Sequence, residues 1–278
     1  MPSNLIPLPS LNAVAAGQTA TLDVPRGPTY RQIMLEYRAT IATVPGTLAT
    51  EAVMKADITE IRVKLNGIVQ RRISAAQLIE INKIYGIAYS DGVLPIFLAE
   101  PWRRTPNGED ALGWGTQNVS TFQLEVDIAA AAAGPTLEAH TSIDRISAPI
   151  GAIKKVRQYN YGPTSTGDFP IQVLPKNTTY HALHLFETAA GDVNKIKVEV
   201  DQNRVWEAEN FLMNAFYGFQ GITRQSGVYS IVFDASTRLG DVLPLVNNGR
   251  PVSDFLLTVD MAVANNFTLV TEELGLPF

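Results

Sequence analysis

Cysteine is absent from the 278 residues, which excludes disulfides, thiolate metal sites and cysteine nucleophiles together. Histidine is scarce, at three residues, and charged residues make up only 18% of the chain. With 22 basic against 27 acidic residues the formal net charge is −5, so no strong field for nucleic acid follows and no sequence-specific nucleic-acid partner is expected. The longest apolar run, Ile128 to Ala133, falls far short of the roughly 20 residues that span a bilayer. Met1 to Gly17 lacks a basic start and is interrupted by Pro2, Pro7 and Pro9, so it does not read as a signal peptide and synthesis without export is expected. Phosphate-cradling G-x-x-x-x-G-K-[ST] and G-x-G-x-x-G, zinc-binding H-E-x-x-H and nucleophile-bearing G-x-S-x-G are all missing. What remains is 46% hydrophobic, enough to bury a substantial core.

One stretch occurs twice. Ser120-Thr-Phe-Gln-Leu-Glu-Val-Asp-Ile128 and Ser253-Asp-Phe-Leu-Leu-Thr-Val-Asp-Met261 share S-x-F-x-L-x-V-D. Side chains alternate across a strand, so each copy turns a Phe-Leu-Val row to one face and its Asp to the other. Each is therefore a half-buried strand.

The rest of the chain supplies further echoes. Thr19 to Val24 and Tyr30 to Tyr37 read as strands, Ala39 to Ala56 as a long loop around Pro45-Gly46, and Asp57 to Leu65 as an alternating strand before Asn66-Gly67, a strong hairpin signal. Val69 to Ile73 returns from that turn, and Ser74-Ala-Ala-Gln77 has capping-box spacing ahead of a helix ended by Gly86. This is read as the only helix of the first half. Gly92 to Leu98, the Ser120 strand and Thr136 to Ser142 complete about eight strands, with Pro101 to Gly115 a loop holding at most one short strand.

In the second half Tyr180 echoes Tyr30, Asp192 to Val200 echoes Asp57 to Leu65, and a helix near Glu207 to Tyr217, ended by Gly218, echoes the one ended by Gly86. Gly227 to Phe233 echoes Gly92 to Leu98, and Phe169 to Leu174 stands for the Thr19 strand. Asp57, Tyr85, Gly92 and Ser120 precede Asp192, Tyr217, Gly227 and Ser253 by 135, 132, 135 and 133 residues. Tyr30 and Tyr180 differ by 150, the excess falling where the first half carries its Ala39 to Ala56 segment. Near-constant offsets indicate a tandem duplication, with an N-terminal domain over 1–147 and a C-terminal domain over 148–278. Ala148 to Gly151 reads as the linker and Ile153 to Tyr161 as an exposed strand leading into the second copy. The fold class expected is all-β: two tandem eight-stranded jelly rolls, each with one short helix after its fourth strand.

Candidate site residues all carry simpler explanations. His181-x-x-His184 is the most metal-like pair, yet a spacing of three on a strand puts the rings on opposite faces, and His140 is the only other histidine. Asp192 and Asp201, with Asn194 and Asn203 nearby, offer oxygens of the kind calcium takes, and read more simply as turn formers. The duplicated Asp127 and Asp260 suit hydrogen bonding at a strand end rather than acid–base work. Arg71-Arg72, Arg103-Arg104 and Lys154-Lys155 read as solvated or interfacial charges. Trp102, Trp114, Trp206, Tyr159 and Tyr161 would suit a sugar-stacking platform, or core packing and subunit contacts equally. Asn118, Asn177 and Asn266 match the glycosylation sequon, without consequence when nothing directs export. Asn4-Leu-Ile-Pro-Leu-Pro9 reads as an arm that docks on a neighbouring subunit or faces a membrane. No catalytic, cofactor-binding or metal-ligating residue is assigned, and no enzyme is expected.

Two stacked eight-stranded domains of this order resemble the double jelly-roll major coat proteins of membrane-containing icosahedral viruses. Asn12-Ala-Val-Ala-Ala-Gly-Gln leading to Gly27-Pro-Thr-Tyr30, and Asp127-Ile-Ala-Ala-Ala-Ala-Ala-Gly-Pro135, resemble in particular the corticovirus-type coat protein of tailless marine phages. That resemblance implies a non-enzymatic homotrimer forming pseudo-hexagonal capsomers. Its partners would be neighbouring capsomers, minor capsid, penton and membrane proteins, and an underlying lipid membrane. It places the protein in a virion capsid after synthesis in the host cytoplasm. It also implies dependence on structural calcium, for which the sequence assigns no ligands. A two-domain jelly-roll carbohydrate-binding protein is the alternative, and a double jelly-roll glycan hydrolase a weaker one.

Overall fold

The duplicated strand sits in the same place in both halves of the chain. In the computed structural model, which describes residues 4–103, 106–236, 238–247 and 249–278, Phe122, Leu124 and Val126 are buried, and so are Phe255, Leu257 and Val259. Two compact units account for the chain. The first holds residues up to Asn82, Ile87–Val156 and Leu276–Phe278; the second holds Lys83–Gly86 and Arg157–Gly275.

The first unit runs β1 (Asn4–Pro7), β2 (Thr19–Asp23), β3 (Thr29–Ile41), β4 (Val44–Leu48), α1 (Glu51–Asp57), β5 (Ile58–Leu65), β6 (Ile68–Ile73), α2 (Ala75–Ile84), β7 (Val93–Phe97), α3 (Pro106–Asp110), β8 (Trp114–Gly115), β9 (Phe122–Ile128) and β10 (Thr136–Asp144). One layer is ordered β6-β5-β9-β2. In the other, β10 takes one edge of β3 while β7 and β8 pair with β3 as well. Strict alternation dictates this: β9 reads buried at every second residue from Phe122 to Ile128, so one face must be covered by a second layer. Tyr30 on β3 supplies part of the cover, meeting Phe122 edge-on at 5.2 Å. Burying each Phe, Leu or Val of such a row contributes about 1.5–3 kcal/mol.

The second unit repeats the plan with β11 (Ile153–Tyr161), β12 (Gly167–Ile171), β13 (Thr179–Glu187), β14 (Val193–Val200), β15 (Asn203–Glu209), α4 (Asn210–Phe219), β16 (Val228–Val232), β17 (Leu243–Pro244), the small hairpin β18 (Val246–Asn247) and β19 (Arg250–Pro251), β20 (Phe255–Met261) and β21 (Phe267–Gly275). Pairings repeat along with the elements. Val63 faces Leu124 in the first unit and Val198 faces Leu257 in the second. β2 pairs with β9 as β12 pairs with β20. Tyr180 stacks on Phe255 at 5.2 Å, and its hydroxyl donates to Pro175 O as that of Tyr30 donates to Pro25 O.

The turns repeat too. Asn66 and Gly67 have φ of 50° and 78°, Asp201 and Gln202 of 47° and 65°, the left-handed pair that a two-residue hairpin needs to match strand twist. Each turn then holds the start of the duplicated strand: Asn66 Oδ1 accepts from Ser120 N and Thr121 N at 2.7 and 3.1 Å, and Asp201 Oδ1 accepts from Asp254 N at 2.9 Å. At α2 the capping box forms, Ser74 N donating to Gln77 Oε1 and Gln77 N to Ser74 Oγ.

Four local expectations are corrected. Ala39 to Ala56 is no loop: β3 continues to Ile41, Ala42 and Thr43 turn with positive φ, and β4 and α1 follow. Thr50 starts α1 by accepting from Val53 N at 3.5 Å, and with α3 it makes α2 one of three helices among the described residues of the first half. α4 begins at Asn210 and passes through Gly218; the strand β15 occupies residues expected to be helical. Ile153–Tyr161 is not exposed throughout, since Ile153, Lys154 and Val156 are buried and Val156 pairs in parallel with Arg71. Asn4–Pro7, expected as an arm that docks on a neighbouring subunit or faces a membrane, pairs within its own unit as an edge strand, antiparallel to β10 from Asn4 opposite Ile143 to Pro7 opposite His140.

Candidate functional site

Each unit buries a polar cluster. On β13 a register shift between Tyr180 and Ala182 adds one residue to the strand, and such a bulge turns a side chain to the other face. His181 is thereby brought to the side of His184, against the expectation from spacing. His181 Nδ1 lies 2.8 Å from Glu272 Oε2 and His181 Nε2 3.0 Å from Asp234 Oδ2. His184 Nδ1 meets Ser230 Oγ at 2.8 Å, with its Nε2 3.9 Å from the same Glu272 oxygen. Tyr85 donates its hydroxyl to Glu272 Oε2 at 3.0 Å. All but Tyr85 are buried. The arrangement is a buried hydrogen-bonded network centred on Glu272.

Of the doublets expected to be solvated or interfacial, Arg71, Arg103 and Lys154 are buried in the first unit. Glu100 receives Arg103 Nε at 2.5 Å and Lys154 Nζ at 2.8 Å, all three buried. Arg71 is buried as well, its Nε donating to Lys154 O at 3.0 Å and its guanidinium lying 5.4 Å from the Trp114 ring centre. Arg72 points outward to Glu60 at 2.7 Å. Arg104 lies outside the described residues. Buried cations of this kind need the carboxylate and carbonyl partners seen here, which a charge doublet read on its own does not reveal.

The aspartates hold strands in place. Asp127 accepts from Thr19 Oγ1 at 2.6 Å and from two nitrogens of Arg62 at 2.6 and 2.8 Å. The Arg62 hydrogen bonds hold the Asp127 carboxyl below its ordinary range, and those same bonds raise Arg62. Asp192 and Asp201 flank the eight-residue β14, roughly 30 Å apart at about 3.3 Å per residue. Asp192 accepts from Ala189 N and Asn265 Nδ2. They do not converge, so they do not fit a calcium ion, and the hydrogen bonds each accepts from nearby chain, Asp192 from Ala189 N and Asn265 Nδ2 and Asp201 from Asp254 N, account for both. Glu36, Glu138 and His140 do bring three ligand atoms within 4.8 Å. Glu36 there is held by Arg38 at 2.7 Å, and an imidazole is not a ligand type that calcium favours.

The aromatics do not gather into a platform. Trp114 is core, packed on Phe122; Trp102 meets Phe97 edge-on at 5.5 Å. Trp206 stacks on Tyr217 at 5.7 Å, whereas Tyr161 packs on Phe169 and Phe267. What the second unit does present is one side of α4, with Phe211, Leu212, Phe216 and Phe219 exposed. A groove of about 750 Å³ beside this helix is lined by Glu187, Phe211, Asn214 and Arg224 among others. Arg224 there is committed to Val228 O, Asn214 and the Tyr229 face, and burial lowers its pKa.

Two jelly rolls in one chain, with strand pairings and turns repeated between them, define a double jelly roll. The chain belongs to the viral coat protein P2 family: residues 5–144 match the Viral coat protein P2 N-terminal domain and residues 153–277 the Viral coat protein P2 C-terminal domain. It is similar to the major capsid protein P2 of Pseudoalteromonas phage PM2, 25% identical over 282 aligned positions covering 96% of this chain and 95% of that protein. The crystal structure of the PM2 protein superposes with a TM-score of 0.84 at 21% identity, covering 99% of this chain and 97% of that one. A chain from the atomic structure of Sulfolobus Turreted Icosahedral Virus gives a TM-score of 0.72 at 13% identity, covering 100% of this chain and 92% of the other. The protein is thus a corticovirus-type major capsid protein, and its place is the virion capsid. The carbohydrate-binding alternative gains no support from these likenesses.

Proposed function

We propose that three copies of the chain associate into a pseudo-hexagonal capsomer, and that these capsomers tile an icosahedral shell around an internal lipid membrane. The observation that carries this reading is the duplication itself. A chain with two bodies of equal plan lets three copies offer six similar bodies around a threefold axis, so one gene product can fill a hexagonal lattice site. Packed sandwiches with satisfied strands and turns suit a mechanical part. The polar clusters are buried, which favours a non-enzymatic role.

Neighbouring capsomers, penton and minor capsid proteins, and membrane proteins beneath the shell are the partners this reading implies. No helix among the described residues is long and apolar enough to cross a membrane; lipid would be met at a surface. Native mass spectrometry tests the proposal: a trimer of 30.3 kDa chains supports it, and a monomer that binds glycans would overturn it.

A further inference from the structure

The helix ends show the duplication at its most exact. Gly86 N donates to Lys83 O and Ile87 N to Asn82 O; 135 residues on, Gly221 N donates to Gly218 O and Ile222 N to Tyr217 O. Both glycines have positive φ, 81° and 76°, as a left-handed helix cap requires. Val93 N to Ser90 O likewise recurs as Val228 N to Gln225 O. Gly221, not Gly218, is therefore the counterpart of Gly86, and Phe219 is the counterpart of Ile84.

These two counterparts differ completely in burial. Ile84 is 1% exposed and lies in the apolar core of the second unit; its carbonyl accepts from Thr223 N at 3.2 Å. Phe219 is 89% exposed, at the end of a helix whose Phe211, Leu212 and Phe216 are also bare. The strands before the helices differ in the same sense. β6 carries Val156 of β11 in parallel along Arg71. β15 ends its sheet, with β14 its only partner among the described residues.

We infer that Phe219 and the bare side of α4 dock on the first unit of a second copy of this chain, in the way the end of α2 belongs to the second unit of its own chain. The pattern already used once names the occupant. The counterpart of Thr223 is Ala88, so the Phe219 carbonyl takes the N–H of Ala88 from the next copy. β1, which opens the first half as β11 opens the second, lies along the outer edge of β15; it is itself an edge strand with Leu5 exposed. Such a head-to-tail contact joins unlike surfaces and closes into a ring of copies. The inference rests on the capsomer reading and adds to it the residues that make the contact.

The absence of cysteine makes the test clean. Phe219→Cys and Ala88→Cys chains, each made singly, mixed and mildly oxidised, should give a reducible dimer of one chain of each kind, and the double variant a ladder reaching three copies. Phe219→Asp should raise the concentration at which trimers dissociate by roughly 30-fold, the loss an interface hot spot gives, with an unchanged circular dichroism spectrum. Trimers that stay unlinked and are indifferent to Phe219→Asp overturn this inference and leave the capsomer reading standing. A wild-type chain that is monomeric at every concentration overturns the capsomer reading, and the inference with it.

Discussion

At one crossing of strands the two jelly rolls differ in chemistry while sharing a backbone. In the first, Arg62 on β5 grips Asp127 with two nitrogens and Thr19 adds a hydroxyl. In the second, Lys197 stands where Arg62 does, and its ammonium goes instead to Asp168 at 2.8 Å. Asp168 lies opposite Asp260 as Thr19 lies opposite Asp127. The apolar rows beneath are the same in both: Phe122, Leu124 and Val126 against Phe255, Leu257 and Val259. Register and core have been kept through the duplication, and the polar face has been free to change. An arginine fork suits a bidentate carboxylate, whereas a lysine is a point charge that follows the nearest acid.

The largest effect expected falls on the shared part. Phe122→Ala and Phe255→Ala should each cost about 3–5 kcal/mol, the range for emptying a packed aromatic site. Hydrogen exchange should show Phe122→Ala loosening β5 and β9 and Phe255→Ala loosening β14 and β20. Equal loss across both units from either change would contradict two separate cores.

The unlike part should respond unequally. Asp127→Asn should cost about 1 kcal/mol, after allowance for solvent screening at a partly exposed site; Asp260→Asn should be close to neutral in thermal melting. The same contrast extends to acid. Asp127 is depressed by Arg62, so its contribution is present above the unfolded value of about 3.9 and is lost as pH falls through the lower folded value. Carboxylate NMR should show Asp127 titrating below the ordinary aspartate range, with the Arg62 crossing loosening there.

A smaller effect is expected at the turns. Asn66-Gly67 is the favoured pair for a left-handed two-residue turn and Asp201-Gln202 is not. Gln202→Gly should therefore stabilise the second hairpin by up to about 1 kcal/mol, read as a raised denaturant midpoint. No gain would mean that the second turn is held by its neighbours rather than by its own backbone preference.

Alternation and turn chemistry made most of the fold legible in the sequence. The S-x-F-x-L-x-V-D rows, the Asn66 hairpin, the Ser74 to Gln77 cap and the Tyr30 and Tyr180 pair are local rules that tertiary contacts reinforce. What escaped was decided at longer range. His181 joined His184 because a bulge on β13 broke the period of two. Arg71, Arg103 and Lys154 are buried because Glu100, Phe97 O and a tryptophan face await them; for Arg71 and Lys154 those partners are far apart in sequence, and for Arg103 the partner is three residues away but is itself buried. The Ala39 to Ala56 segment hid β4 and α1 because Pro45-Gly46 resembles a loop signal, although Thr50 followed by Glu51 marks a helix start. The match of Gly86 with Gly218 was three residues out; a glycine within a helix cannot be told from its cap without the backbone.

The central claim is that one chain supplies two similar bodies to a threefold capsomer. Class averages of the purified protein in negative stain, viewed down its axis, test it most directly. Six lobes of near-equal size with threefold symmetry are expected. A particle with two lobes, the size of a single chain, would contradict it.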